Sequence, residues 1–380
     1  MRDEGISVHV MCVPADPHEK ECEVHEGIVV HRIMCKAYCA KKKFKSNLIC
    51  YGECLLEKAI SDIQVHHTRA GLDLVLTKKI RKHTNQLHST EKFDAIIAVC
   101  GNFEMARAIL QNSFENTCRG LYQVDPYWTN QMLLQQGKEN RKRLEQSVYR
   151  QFNCVFTTPL VFGENKHEAT FDLSRTVPVE FPNVLKPDSS SINIFPDGDK
   201  RIKLLFTGYL SADVRNPKRL WELLRYMPED LIRCYFLGNA TIQDLGEYVE
   251  DLFDKVVFLG NIPLKECFGA MQQADILVNI GNNMPNQVPS KLFDYISMGK
   301  PILNLAKTHS CPTIDYLKNY PLAINIFDDE EIAESAEKMK FFCINEKGKR
   351  IPFTEVEKLY RDHTPQTVAH QMRKLIEKNI

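Results

Sequence analysis

Short apolar runs alternate with amphipathic stretches through the C-terminal half of the chain. Each run is rich in β-branched or aromatic residues, and four of them predict strands, at residues 202–207, 232–237, 255–259 and 274–280. The stretches between them predict helices, such as 217–227, which carries Leu220, Leu223 and Leu224 on one face. Strands that alternate with helices in this way are typical of a doubly wound parallel sheet in an α/β protein.

Glycine follows all four of these predicted strands, at Gly208, Gly238, Gly260 and Gly281. In such a sheet the carboxyl ends of the strands share one edge, and ligands bind there at the point where the strand order reverses. Glycine lets a ligand approach the backbone closely. We therefore expect a ligand site at this edge, with Gly208 and Gly238 as candidate contacts.

The N-terminal half predicts a second α/β unit with a weaker pattern. Its apolar runs predict strands at residues 5–12, 27–33, 93–99, 118–124 and 153–158. A polar segment at 186–200, rich in Ser, Pro, Asp and Gly, predicts a boundary between domains. We expect an N-terminal domain at residues 1–185 and a C-terminal domain at residues 198–355.

The composition of the chain bears on its binding partners and on its location in the cell. The 380 residues are enough for two domains, and 43% of them are hydrophobic. Lys+Arg and Asp+Glu both number 49, so no net basic charge favours nucleic acid as a partner. The sequence shows no apolar run of membrane-spanning length and no signal-peptide pattern, which favours a cytoplasmic protein.

Cysteine usage points away from metal and disulfides. The 13 cysteines are scattered, without a Cys-x-x-Cys pair or a second pair at zinc-finger spacing. Reduced, mostly buried thiols are the expected state, and we expect no metal ion and no cofactor.

The densest candidate chemistry lies at residues 288–303, VPSKLFDYISMGKPIL. Pro289 and Ser290 predict the start of a helix over Lys291–Ser297, with Ser290 as its N-cap, and Gly299 predicts its end. A lysine beside free helical N–H groups suits a diphosphate, and a carboxylate one turn later, Asp294, suits a pair of ribose hydroxyls. The segment therefore indicates a site for a nucleotide sugar.

This segment resembles the donor-binding motif of GT-B glycosyltransferases, with Asp294 where those enzymes usually carry Glu. The order Phe-x-Gly, Leu-Gly, Phe-x-Gly and Ala-Asp-Ile that precedes it, from Phe206 to Ile276, is similar to the same family. The resemblance implies two Rossmann-like domains that face each other across a cleft. It implies a transferase that moves a sugar from a UDP- or GDP-sugar to a glycan or lipid-linked acceptor, without an obligatory metal.

The resemblance also suggests residues for the donor diphosphate. The Arg that often follows the first glycine is replaced by Tyr209, which leaves Arg215 and Lys218 as candidate phosphate contacts, with a charged loop in water as the alternative. Many retaining members carry two acids seven positions apart, and the first position is Asn286 here. An amide binds sugar hydroxyls but does not ionise, so retaining and inverting chemistry both stay open.

Candidate acceptor residues fall in the N-terminal half. Asp125 follows a predicted strand, in a stretch similar to one that lines the cleft in relatives, and is the candidate base or acceptor ligand. A turn or cap role is the alternative. Gly101 and Asn102 end another strand and could line the same site. The basic runs 41–45 and 141–143 suggest contact with the inner face of a membrane, although solvated surface explains them more simply.

Two further expectations follow from the resemblance. The C-terminal helix, at about residues 360–380, should pack back onto the N-terminal domain. The first β–loop–α element of the family is not found ahead of the strand at residues 5–12, which favours a second hypothesis, a non-catalytic nucleotide-sugar-binding protein. A third hypothesis is a sugar-nucleotide epimerase of the same fold. Such an enzyme needs a cluster of acid and base residues that the sequence does not show.

Overall fold

The computed structural model describes residues 2, 5–14, 19–33, 59–60, 63, 72–100, 103–130, 133, 137–188, 194–196, 198–211, 214–239, 250–282 and 286–380. Two compact units divide the chain: Met1–Phe181 with Gln366–Ile380, and Pro182–Pro365. The basic run 41–45 and the pair Gly101 and Asn102 lie outside the described residues.

Unit 1 contains two sheets. Its strands are β1 His9–Cys12, β2 Cys22–His25, β3 Ile28–Arg32, β4 Ala95–Cys100, β5 Cys118–Gln123, β6 Cys154–Thr157 and β7 Thr176–Pro178. One sheet has the order β1-β3-β2, with a parallel and an antiparallel pair. The other has the order β4-β5-β6-β7 and is parallel throughout. A cavity of about 120 Å³ is lined by residues of both sheets, including His9 and Ile97.

The helices of unit 1 are α1 Leu74–Glu91, α2 Glu104–Leu110, α3 Lys138–Gln151 and α4 Pro159–Lys166, together with the C-terminal helix listed below. Residues of α2 and α3, among them Ile109, Val148 and Tyr149, share a buried cluster with Leu121 of β5 and Val155 of β6. This cluster supports the strand ends that follow β4 and β5.

Unit 2 is built on one sheet. Its strands are β8 Ile202–Thr207, β9 Ile232–Leu237, β10 Val256–Gly260, β11 Ile276–Ile280, β12 Ile302–Ala306 and β13 Ala323–Phe327. They lie in the order β10-β9-β8-β11-β12-β13, and every pair is parallel. The four strands predicted from the glycine-terminated runs are all present. The residues of β8, β9 and β11 are almost all buried, whereas the edge strand β10 is buried mainly at Val256.

The remaining helices are α5 Lys218–Arg225, α6 Leu264–Gln273, α7 Lys291–Ser297, α8 Pro312–Leu317, α9 Ile332–Glu346, α10 Phe353–Leu359 and α11 Pro365–Glu377. The last of these, α11, belongs mainly to unit 1. Its apolar residues Val368, Met372 and Ile376 are buried in one cluster with Tyr122 and Phe156. The chain thus returns to its first unit after completing the second.

The division between the two units falls after Phe181, ahead of the polar segment 186–200. At the start of that segment the Asp188 carbonyl accepts from Gln272, and just before it the backbone N–H of Leu185 donates to Ser297. Asp199 forms ion pairs with Arg201 and Arg233, 2.9 and 3.0 Å away. These bonds hold the described ends of a segment whose composition alone is typical of a linker. In the part of the chain that the structure describes, no helix has the length and apolarity needed to cross a bilayer.

Candidate functional site

The strand order of unit 2 reverses between β8 and β11. From β8 the chain moves outward to β9 and β10, then returns to β11 on the other side of β8. The two crossovers leave a crevice at the carboxyl ends of β8 and β11, which is where parallel sheets of this kind bind ligands. Gly208 and Gly281 follow these two strands directly.

The backbone is tightly packed around Gly208 and Gly238. Both have positive φ, 137° and 125°. A Cβ added at Gly238 would lie 2.0 Å from the carbonyl oxygen of Gly208, so no other residue fits there. The N–H of Gly208 donates to Leu237, and that of Gly238 donates to Gly260. The first two glycine-terminated strands therefore end in a close backbone contact beside the reversal point.

Arg215 spans the reversal point. Its Nε donates to Oδ1 of Asn282, 2.7 Å away, which joins the loop after β8 to the loop after β11. Its guanidinium also lies beside Gly208. Burial lowers the pKa of Arg215, and the phenol of Tyr295 acts in the opposite direction. A half-buried cation at the reversal point is suited to a diphosphate.

The helix α7 is attached to the end of β8 by Tyr295. The backbone N–H of Thr207 donates to the Tyr295 hydroxyl at 2.8 Å, and the two hydroxyls lie 3.1 Å apart. Burial raises the pKa of the half-buried Cys267 thiol, the charge of Asp294 acts in the same direction, and Lys291 and Thr207 oppose the shift. The first turn of α7 is thereby held close to the carboxyl end of β8.

Lys291 and Asp294 form an ion pair on α7. Lys291 Nζ lies 3.1 Å from Asp294 Oδ2, and their side chains are 30% and 26% exposed. Burial raises the pKa of the Asp294 carboxyl, and Lys291 opposes that shift by charge and hydrogen bonding. The pair is accessible enough to contact a ligand, and the lysine favours an ionised carboxylate, the form that accepts hydroxyl hydrogen bonds.

The sequence predicted the extent and the C-terminal end of α7 correctly, but not how its N-terminal end is capped. The predicted body Lys291–Ser297 matches, and Gly299 ends the helix with φ 66°. Ser290 occupies the N-cap position, but its backbone is helical and its side chain makes no capping hydrogen bond. The expected capping role of Ser290 is therefore wrong, because a Ser caps a helix only from extended backbone.

Two other donor residues predicted from the sequence lie in α5 and in the loop before α7. Lys218, at the start of α5, is exposed, and its ion pair is with Glu222 on the same helix, 3.8 Å away. Asn286 is buried in the loop between β11 and α7. The structure thus brings together Gly208, Gly238, Arg215, Lys291 and Asp294, whereas Lys218 is directed along its own helix.

Asp125 of unit 1 follows β5 and is half-buried. Burial raises the pKa of its carboxyl, and its backbone carbonyl accepts a hydrogen bond from Gln123 Nε2 at 3.2 Å. A carboxyl whose pKa is raised is better able to exchange a proton near neutral pH.

Sequence reasoning missed the polar groups that support these positions. Tyr295 and Asn282 hold the loops of unit 2, and Gln123 and Glu145 lie beneath Asp125. The residues joined by the bonds Gln123–Glu145, Arg215–Asn282 and Thr207–Tyr295 are 22, 67 and 88 positions apart, so no local pattern predicts these pairs.

The basic run 141–143 is not a solvated patch. Arg141 is 1% exposed. Lys142 pairs with Glu168 at 2.6 Å and lies over the ring of Trp128, 4.7 Å from its centre. Packing therefore removes two of the three cations from the proposed membrane contact.

Within the described residues, no three His, Cys, Asp or Glu side chains are grouped closely enough to hold a metal ion.

Comparison with known proteins gives structural matches only. No protein-family model matches the sequence, and no curated protein matches it significantly. Sucrose-phosphate synthase from Thermosynechococcus elongatus is similar over 99% of this chain and 90% of its own, with a TM-score of 0.66 and 13% identity. Anabaena HepE in complex with UDP-glucose is similar over 78% of this chain and 82% of its own, with a TM-score of 0.55 and 13% identity.

A third match is a putative UDP-N-acetylglucosamine 2-epimerase from Listeria monocytogenes. It covers 79% of this chain and 78% of its own, with a TM-score of 0.53 and 11% identity. At such low identity these likenesses concern the fold alone. They confirm the α/β class and the architecture that the sequence predicted, and the chain has the GT-B glycosyltransferase fold.

Proposed function

We propose that the protein is a glycosyltransferase that moves a sugar from a UDP- or GDP-sugar to a glycan or lipid-linked acceptor. The observation that carries the proposal is the strand reversal between β8 and β11, where Gly208, Arg215 and Asn282 meet. The absent side chain of Gly208 lets the Arg215 guanidinium lie close to the backbone, and this half-buried cation provides charge for a diphosphate leaving group. The UDP-glucose complex among the similar structures supports this class of donor.

In this proposal the donor is held by unit 2. Arg215 neutralises the diphosphate, with the backbone at Gly208 and Gly238 close to it and Ser290 and Lys291 at the start of α7 as further contacts. Asp294 accepts hydrogen bonds from the ribose hydroxyls, and the amide of Asn286 binds a sugar hydroxyl. Lys218 is retained as a peripheral phosphate contact, because its long exposed side chain can leave Glu222 at little cost.

Asp125 is the proposed catalytic residue. Its half-buried carboxyl, with a pKa raised by burial, is suited to accept a proton from an acceptor hydroxyl. Charge compensation by Arg215 and Lys291 takes the place that a metal ion has in other transferases. We place the reaction in the cytoplasm, with a lipid-linked acceptor presented at the inner face of a membrane.

A transfer assay tests the proposal. Radiolabelled UDP- and GDP-sugars are incubated with the chain and a panel of glycans and lipid extracts, and label in the acceptor fraction is measured. We expect transfer from one base family, reduced at least tenfold by Arg215→Ala and by Asp125→Asn. The exposed surface variant Glu229→Ala serves as the control and should retain full activity. Binding of a nucleotide sugar without transfer to any acceptor contradicts the proposal.

The non-catalytic nucleotide-sugar-binding protein remains the second candidate. The observation that favours it is the amide of Asn286 at a position where retaining relatives carry an acid. In that case the donor would bind with Arg215 and Asp294 as above, no transfer would be measured, and Asp125→Asn would leave binding unchanged.

A further inference from the structure

The loop that carries Asp125 lies on a set of buried polar side chains. Gln123 ends β5, Glu145 and Tyr149 belong to α3, and Asn165 belongs to α4. Each of the four is at most 1% exposed. Polar groups this deeply buried cost free energy unless hydrogen bonds satisfy them, so their arrangement is informative.

Glu145 is at the centre of this set. Its Oε1 accepts from Gln123 Nε2 at 3.0 Å and from Asn165 Nδ2 at 3.1 Å. Its Oε2 accepts from the backbone N–H of Trp128 at 3.1 Å. Three donors thus converge on one buried carboxyl. Hydrogen bonds from donors favour the ionised form of a carboxyl over its protonated form.

A second layer of bonds orients those donors. The Tyr149 hydroxyl donates to Gln123 Oε1 at 2.8 Å and accepts from Asn165 Nδ2 at 2.9 Å. The indole N–H of Trp128 donates to Asn165 Oδ1 at 2.9 Å. Gln123 and Asn165 are therefore held in the orientation that presents their N–H groups to Glu145.

The contacts of this network flank Asp125 on both sides. Before it in the sequence lies Gln123, whose Nε2 donates both to Glu145 and to the backbone carbonyl of Asp125, at 3.0 and 3.2 Å. After it lies Trp128, whose backbone N–H is bound by Glu145. The backbone between these two anchors has little freedom while the carboxylate is in place.

We propose that Glu145 is a positioning residue that fixes the loop at residues 124–128, and with it the carboxyl of Asp125. The placing of Asp125 for catalysis rests on the proposed function, whereas the fixing of the loop does not. Protonation of Glu145 converts one acceptor oxygen into a donor that faces other donors, so the loop loses an anchor.

The environment of Glu145 makes this change accessible near neutral pH. Burial raises the pKa of its carboxyl to about 7, and the bonds from Gln123, Asn165 and the Trp128 N–H oppose that shift. The titratable groups that face it are Glu164 of α4, Tyr149 of α3, Tyr127 of the loop and Cys100 of β4. Because the folded-state pKa exceeds the ordinary value of 4.5, unit 1 should lose stability as pH rises from about 4.5 to about 7.

Tryptophan fluorescence tests the inference without any assay of transfer. The chain has two tryptophans, Trp128 in this loop and Trp221 in the core of unit 2. In a Trp221→Phe chain the emission of Trp128 should change with a midpoint near pH 7. Glu145→Gln in the same background should abolish that transition, whereas Glu164→Gln should preserve it. A transition that persists in the Glu145→Gln chain, or is absent from its parent, overturns the inference.

A second variant covers the case in which Glu145→Gln does not fold. Tyr149→Phe keeps the carboxyl but frees Gln123 and Asn165 to turn away, so the carboxylate is less well stabilised and the midpoint should rise. An unchanged midpoint in this variant contradicts the inference.

The pH profile of transfer links the loop to activity. Glu145→Gln should remove a step near pH 7 from the profile of kcat and lower kcat severalfold, with the KM for the donor unchanged because donor residues lie in unit 2. A chain without transfer activity that still shows the fluorescence transition refutes the proposed function alone. A missing transition refutes the role of Glu145 whatever the activity.

Discussion

At the scale of single residues, Gly238 has no room for a side chain. Its φ is 125°, and a Cβ would lie 2.0 Å from the Gly208 carbonyl oxygen. Strained backbone of this kind costs about 1–3 kcal/mol for other residues, and the contact adds to that cost. We expect Gly238→Ala to lower the free energy of unfolding of unit 2 by about 3 kcal/mol or more, measured in urea by Trp221 fluorescence in a Trp128→Phe chain.

Gly260 provides the matched control for that measurement. It also has positive φ, 71°, but nothing lies within 4 Å of an added Cβ. Gly260→Ala therefore carries only the backbone cost, about 1 kcal/mol. Equal losses in the free energy of unfolding for the two variants would show that the close approach of Gly208 and Gly238 adds nothing to the cost of a side chain at Gly238.

Residues near each other in sequence were predicted best. The boundaries of α7 follow from Pro289 and Gly299, because proline and glycine restrict the backbone locally. The bonds that place α7 were not predicted, since Thr207 and Tyr295 are 88 residues apart. The residues suggested for the donor can be read from motifs, whereas Glu145 and Asn282 act through tertiary contacts that no local pattern encodes.

At the scale of elements, three neighbouring strands of unit 2 are joined by asparagines. Asn279, Asn304 and Asn325 lie directly opposite one another in the register of β11, β12 and β13. Asn279 donates to Asn304, and Asn304 donates to Asn325, each at 2.7 Å. Asn304 also donates to Thr313 at 3.1 Å. The row fixes the register of strands whose apolar residues alone would permit slippage.

This row predicts a large effect for one substitution. Asn304→Ala leaves the buried amide of Asn279 without its acceptor, and each such group costs about 1–3 kcal/mol. We expect the free energy of unfolding of unit 2 to fall by about 2–4 kcal/mol, followed by Trp221 fluorescence in urea. Asn345→Ala, on an exposed turn of α9, is the control and should change it by less than about 0.5 kcal/mol. Similar values for both would contradict a role for the row.

The strands that sequence reasoning missed are β2 and β7. The residues of β2, Cys22–His25, carry three titratable side chains and pair with β3 alone, at a sheet edge. β7 has only three residues, Thr176–Pro178. Central strands are recognisable because both of their faces are apolar, whereas short edge strands have no such pattern.

At the scale of the whole molecule, the C-terminal helix completes unit 1. Val368, Met372 and Ile376 are at most 8% exposed and pack with Tyr122 and Phe156. Burial of one such side chain contributes about 1.5–3 kcal/mol, so removal of all three should destabilise unit 1 severely.

Truncation tests this dependence. A chain that ends at Pro365 should show early loss of the Trp128 signal in urea, in a Trp221→Phe background, while Trp221 in the complementary Trp128→Phe background unfolds as before. Removal of residues 378–380 alone is the control and should leave both signals unchanged. Equal destabilisation of the two units would contradict the assignment of α11 to unit 1.

The proposed activity depends on a donor site at the reversal point of unit 2. Calorimetric titration of the purified chain with UDP, GDP and their sugar conjugates tests it most directly. We expect binding of one base family, weakened about tenfold or more by Arg215→Ala and by Asp294→Ala, since a hydrogen bond to a charged group contributes about 1.5–3 kcal/mol. Asp315→Ala, an exposed carboxylate of the same unit, should bind as the parent does. Absence of binding to every nucleotide, or equal affinity in the Arg215 and Asp294 variants, would contradict the account.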